Sequence, residues 1–252
     1  YCSYMKKNIF AILLLFNCIW SQNATLEKIL FIGNSFTFYW NLPLVVESMA
    51  NERGYNFDII QSTVSSSSLK DHWFENNELK SRTLISNSEF NRVVIQDYSN
   101  NPLQNSKESQ KYFLQFIDHI KLNNGTPYIY TTWMYKGITS NNYDALDPMH
   151  HTLKPLADKT GAILVPVDQA FRVFQKRHPT IPIFTMDNKH PSPVGTYLAA
   201  CVFYRLFTGD SPLGLSRRYE RKDESGKKFF LGMVEKSTAI KCQKIVDEIL
   251  PQ

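Results

Sequence analysis

The chain has 252 residues, of which 43% are hydrophobic and 20% charged, with only 10 Gly and 12 Pro. This composition excludes collagen-like, low-complexity and wholly disordered chains and suits one α/β domain of ordinary size. Net charge is +5. Lys6 and Lys7 fall in a leader without acids, and the small surplus on the remainder marks no nucleic-acid-binding surface.

Residues 5–21 begin Met-Lys-Lys, run apolar from Ile9 to Phe16 and reach Ser21 ahead of Gln22-Asn23. Basic start, apolar run and small residue are the three parts of a secretory signal. The run falls well short of the ~20 apolar residues that a membrane span needs. The pattern therefore predicts a cleaved leader over 1–21, with 1–4 ahead of the starting Met5, and one domain over 22–252. It also predicts an exported protein, whether periplasmic, secreted or lipid-anchored at the surface through Cys18, with no membrane span. Of the other cysteines, Cys201 lies in an apolar run and Cys242 on an amphipathic stretch, and their spacing suggests neither a disulfide nor a zinc site.

Five apolar runs read as strands: Lys28–Ile32, Phe57–Thr63, Arg92–Gln96, Tyr128–Thr132 and Ala162–Val167. Each is near-continuously apolar, as parallel strands covered on both faces are. Helical patterns alternate with them. Pro43–Arg53 opens on Pro and stops at Gly54, and Lys107–Lys121 puts Tyr112, Phe113, Phe116, Ile117 and Ile120 on one face. Pro193–Phe207 is apolar almost all round and so buried, with Gly209 beyond it. Val234–Leu250 carries a stripe of Ile240, Ile245, Val246 and Ile249. The order predicts an α/β fold in which helices cover both faces of a parallel sheet of about five strands. Ser216–Lys228, rich in charge, reads as a solvated loop.

In such a sheet, ligands gather at the carboxyl ends of the strands. The first strand ends in Gly33-Asn34-Ser35-Phe36-Thr37. Taken alone, Ser35 there reads first as a helix cap and second as a nucleophile with its own amide turned to an anion. The sequence is not the Gly-x-Ser-x-Gly elbow, because residue 37 is Thr. A second cluster, Asp187-Asn188-Lys189-His190-Pro191-Ser192, precedes the buried helix. A carboxylate three residues before a histidine can orient its ring for general-base work. Taken alone, the cluster reads first as a helix-entry turn capped by Asp187, or as a loop with His190 facing solvent.

Together, Gly-Asn-Ser-Phe-Thr and Asp-x-x-His-Pro-Ser resemble the SGNH (GDSL-like) hydrolase superfamily. The resemblance implies a flavodoxin-like three-layer α/β/α sandwich, with Ser35 as nucleophile, His190 as general base and Asp187 as its partner. It implies ester hydrolysis, often of acyl groups on carbohydrates or lipids, with no cofactor and no metal. In place of the family's Gly after the second strand stands Ser65-Ser66-Ser67-Ser68, so the oxyanion hole is expected from the amides of Ser35 and of Ser65 or Ser66. The family's Asn after the third strand has two candidates here, Gln96 first and Asn100 second, since either amide offers two donors. His72 and Trp73 after the second strand and Trp133 after the fourth are candidate substrate contacts. Trp40 and Tyr135 also follow strand ends. His150-His151 could supply metal ligands but fits a helix start better.

The expected substrate is a small-molecule or carbohydrate ester, preferably an acetyl ester. A catalytically lapsed carbohydrate-binding protein and an acyltransferase using the same three residues are the competing readings.

Overall fold

The computed structural model describes residues 25–135 and 147–251; the expected leader lies outside them. In chain order the elements are β1 (Glu27–Gly33), α1 (Ser35–Phe38), a 3₁₀ turn (Tyr39–Asn41), α2 (Leu42–Glu52), β2 (Phe57–Thr63), α3 (Leu69–Phe74) and α4 (Ser81–Asn87). Then come β3 (Arg92–Ile95), α5 (Asn101–Gln104), α6 (Ser106–Leu122), β4 (Thr126–Tyr130), α7 (Pro148–Thr160), β5 (Ile163–Val165) and α8 (Val167–Arg177). The chain closes with α9 (Pro193–Thr208), β6 (Arg218–Lys222), β7 (Lys228–Met233) and α10 (Lys236–Ile249).

Strands β1 to β5 form one parallel sheet in the order β2-β1-β3-β4-β5. The reason for their unbroken apolar character is visible in β1. Ile29 and Phe31 face one helical layer while Leu30 and Ile32 face the other, and all four are fully buried. The first layer is built from α2, α8, α9 and α10, the second from α3, α4, α6 and α7. The result is the expected three-layer α/β/α sandwich. In α6 the predicted stripe from Tyr112 to Ile120 is the buried face. Each fully buried Phe of the sheet–helix layers contributes about 2–3 kcal/mol of apolar transfer.

Helix α9 begins where Ser192 caps it, accepting the Val194 and Gly195 amides, and Pro193 sits in its first turn. Gly195 is required for packing, because a Cβ there would lie 2.3 Å from the Ile183 carbonyl oxygen. That contact fixes the segment carrying residues 183–191 against α9.

Two expectations are corrected. Ser216–Lys228 contains β6 and, with β7, forms an antiparallel hairpin. Its charges face outward, while Tyr219 turns in and donates its hydroxyl to Glu52 (2.8 Å), and Asp223 organises the turn by accepting the Ser225 and Lys227 amides. Four charged residues among the five of β6, with Tyr219 its one buried side chain, hid the strand. On α10 the buried face includes Ala239, Cys242, Ile245 and Val246, and Ile240 is 41% exposed, because at 3.6 residues per turn it lies on the side of the helix away from Cys242 and Ile245. Cys201 and Cys242 are both buried free thiols. Among the described residues no helix is long and apolar enough to cross a membrane.

Candidate active site

The loop after β1 is shaped by side chains that leave little choice. A Cβ on Gly33 would fall 2.3 Å from Thr37 Oγ1 and 2.5 Å from Gln96 Oε1, so only Gly fits. Asn34 then caps α1, its Oδ1 accepting the Phe36 amide (3.1 Å) while its carbonyl takes the Thr37 and Phe38 amides. The Ser35 amide is left as a first-turn N–H with no intrahelical acceptor. Ser35 itself is 8% exposed, and its Oγ lies 2.9 Å from His190 Nε2 across a separation of 155 residues.

His190 sits on a tight turn. The Thr185 amide donates to the His190 carbonyl (2.9 Å), and Asn188 takes a left-handed φ of 55° to close the bend. Within it, Asp187 Oδ1 accepts from the Thr185 hydroxyl and from the Lys189 and His190 amides, and Oδ2 accepts from His190 Nδ1 at 2.5 Å. Partial burial pushes the Asp187 carboxyl up, but these donors outweigh it and hold the group well below the usual carboxylate range. An ionised carboxylate only accepts, so Nδ1 carries the ring proton and Nε2 presents a lone pair to the Ser35 hydroxyl. With its side chain 46% exposed, Asp187 leaves the site open to solvent.

Several aromatic residues fix this arrangement. Tyr39 stacks on the His190 ring (centroids 4.3 Å, planes 10° apart) and Phe36 meets it edge-on at 5.4 Å. Two indoles hold the backbone on either side of His190: Trp133 Nε1 donates to the Lys189 carbonyl (2.9 Å) and Trp40 Nε1 to the Pro191 carbonyl (3.0 Å). Trp40 does so from a left-handed backbone (φ 49°), followed by Asn41 at φ 59°. Such a conformation costs a bulky residue about 1–2 kcal/mol. The indole bond and the Asn41 Nδ2 bond to the Leu231 carbonyl (3.1 Å) offset it.

The candidate oxyanion donors separate into two groups. The Ser65-Ser66 pair forms an exposed turn closed by the Ser67 amide on the Val64 carbonyl (3.2 Å), and Ser66 occupies the left-handed φ (62°) for which glycine is favoured. Asn34 Nδ2 donates to the Ser67 carbonyl (2.9 Å), which tethers this turn beside the Ser35 loop. Gln96, by contrast, is fully buried: Oε1 accepts the Asn34 amide (3.0 Å) and the Thr37 hydroxyl (2.9 Å), and its Nε2 is turned to the Asp97 carbonyl. Its longer side chain braces the nucleophile loop from beneath and cannot reach a substrate. Asn100 is half-buried, its Oδ1 facing the Ser99 hydroxyl, and its Nδ2 makes no hydrogen bond among the described residues.

The three expected substrate contacts are corrected. His72 is 0% exposed, bonded to the Gly33 carbonyl and to the Ser67 and Ser81 hydroxyls. Burial lowers its pKa to about 4, so it is a neutral internal strut. Trp73 packs on Phe116 and His119 of α6, under the Arg82 guanidinium. Trp133 is enclosed between Phe36 and Phe171 and acts on the site through the Lys189 carbonyl and through Phe36, which meets the His190 ring. All three follow strand ends, yet α3 and the β4 loop turn their rings inward. Conversely, Phe36 and Tyr39 escaped sequence reasoning, although their place one and four residues after Ser35 was a usable signal. His150 and His151 lie in the first turns of α7, and among the described residues no group of three or more His, Cys, Asp or Glu converges as a metal site.

A polarised Ser–His–Asp relay beside unpaired amides can attack a carbonyl carbon and hold the resulting oxyanion. No family model matches this chain, and no curated protein matches it. Solved structures do. A protein from Slackia heliotrinireducens assigned to the SGNH hydrolases shares 24% identity at TM-score 0.62, covering 73% of this chain and 100% of its own. A DUF4886 family protein from Bacteroides uniformis is 16% identical at TM-score 0.66, over 90% and 95%. A mutant acetyl-xylooligosaccharide esterase from Geobacillus is 16% identical at TM-score 0.56, over 77% and 96%. These likenesses show that the chain has the SGNH-hydrolase fold.

Proposed function

We propose that this chain is an exported serine esterase that hydrolyses acyl esters, preferably acetyl esters, on carbohydrates. The observation that carries this reading is the continuous relay from Ser35 Oγ through His190 to Asp187, at 2.9 and 2.5 Å. Ser35 Oγ attacks the ester carbonyl carbon as its proton passes to His190 Nε2, and Asp187 stabilises the imidazolium. The tetrahedral oxyanion takes hydrogen bonds from the Ser35 amide and the Ser65 or Ser66 amide, with Asn100 Nδ2 as third donor in place of Gln96. Collapse breaks the bond to the alcohol, which leaves with the proton from His190. Water then attacks the acyl-serine by the same route, releasing the acid and restoring Ser35.

Ser35 and His190 within hydrogen-bond reach support turnover over a lapsed binding role. Carbohydrate preference is supported by Trp40, 43% exposed and rigidly held one residue beyond the ring that stacks on His190, since an open indole face suits sugar stacking. Export is supported by the pattern of residues 5–21.

The test is Ser35→Ala against 4-nitrophenyl acetate, paired with fluorophosphonate labelling and mapping of the modified residue. Turnover should fall by about three or more powers of ten, with label on Ser35 in the parent only. Parent-like activity in the variant, or labelling elsewhere, would refute the mechanism.

A further inference from the structure

Lys189 lies in the Asp187–His190 turn, and its side chain has no part in the relay. Its ammonium stands 5.2 Å from the Tyr135 ring centroid, 5.7 Å from Tyr98 and 5.8 Å from Phe36. Tyr135 and Tyr98 come from the loops after β4 and β3 and Phe36 from α1 just beyond β1, so segments at three carboxyl ends converge on one cation. The fourth neighbour in the sheet, β2, brings the Ser65-Ser66 turn to the opposite side of Ser35, as the order β2-β1-β3-β4 requires. The site thus has an amide side and a cationic, aromatic side.

The position of this ammonium is built. The Lys189 amide donates to Asp187 (2.9 Å), its carbonyl accepts from Trp133 (2.9 Å), and the residue is half-buried. Among the described residues no carboxylate lies within ion-pair reach of it. Asp187 is committed to His190, and Asp97 is buried with its Oδ1 on the Leu69 and Tyr98 amides. Ring faces attract an ammonium but offer its three N–H donors no lone pairs. An anion arriving from outside supplies both the lone pairs and the opposite charge that the rings lack. A single ammonium matches one carboxylate, whereas phosphate recognition commonly draws on an Arg fork or several amides.

We infer that Lys189 is a specificity residue that reads a carboxylate on the sugar bearing the ester, so the substrate is an acylated uronic-acid-type glycan. This rests on the esterase reading of the same site, and binding can be measured apart from hydrolysis. In Ser35→Ala protein, calorimetry with an oligogalacturonide and a neutral xylo-oligosaccharide of equal length should show the acidic oligomer held about tenfold tighter. Adding Lys189→Met should remove that preference, Lys189→Arg should keep most of it, and about 0.3 M salt should weaken it in Ser35→Ala itself. Equal affinity for the two oligomers, salt-insensitive binding, or an equal loss on both with Lys189→Met would overturn the inference. If the parent protein shows no esterase activity while charge-dependent binding persists, hydrolysis is what fails and the Lys189 site stands. The Lys189→Arg and salt measurements keep the test decisive even where Lys189→Met does not fold.

Discussion

Asp187→Asn separates catalysis from stability in this site. The substituted amide keeps an oxygen that can continue to accept the Lys189 and His190 amides and the Thr185 hydroxyl, so the turn survives. What changes is the atom facing His190 Nδ1 at 2.5 Å. An NH₂ there donates, Nδ1 must accept, and the ring proton moves to Nε2, pointing at the Ser35 hydroxyl it should deprotonate. The expected loss is about four powers of ten in kcat, equivalent to about 5.4 kcal/mol of barrier. Stability should change by less than about 1 kcal/mol, because the side chain is half-exposed and its charge is screened. Initial rates on 4-nitrophenyl acetate, with urea unfolding of the same preparation, check both halves. A variant within tenfold of the parent rate would refute the assigned tautomer, and with it the relay.

Three further outcomes are expected. Trp133→Phe removes the donor to the Lys189 carbonyl, costing about 1–3 kcal/mol of stability, and lowers kcat with little effect on KM as the His190 backbone loosens; unchanged kcat would make Trp133 a packing residue only. Gly33→Ala forces a methyl into Thr37 and Gln96, with an expected loss of about 1–3 kcal/mol in urea unfolding together with activity; a parent-like variant would show that the loop relaxes freely. His72, lowered to about 4 by burial, contributes stability that is present above its unfolded pKa near 6.5 and is lost as pH falls toward 4, by about 3 kcal/mol at most. Asp168, raised to about 7 by burial, has the opposite slope, its stabilisation being lost as pH rises toward 7. The measurement is therefore the stability gap between parent and His72→Gln, which should narrow from pH 6.5 to 4; a constant gap would exclude a neutral buried imidazole.

Much of the fold is legible in the sequence because parallel strands covered on both faces must be continuously apolar. Ile29 to Ile32 can be read without knowing which residue faces which layer, and the stripe on α6 is as plain. The pairing of Ser35 with His190 is legible only as two local patterns, since the loop after β1 and the turn before α9 each carry their own signature. Sequence cannot give the direction of an individual side chain at a strand end. The same holds on the short helix that follows a strand: Trp133 and Gln96 lie just past strand ends and His72 and Trp73 on α3, and each was drawn inward by partners distant in the chain, Gly33 for His72, Phe116 for Trp73, Lys189 and Phe171 for Trp133, and Asn34 with Thr37 for Gln96. The linear chain therefore set the element types, their order and the two reactive motifs, through hydrophobic period and local turn chemistry. Which polar and aromatic groups face the cleft was decided by tertiary packing alone, because burial and hydrogen-bond satisfaction depend on neighbours that only the folded chain brings within reach.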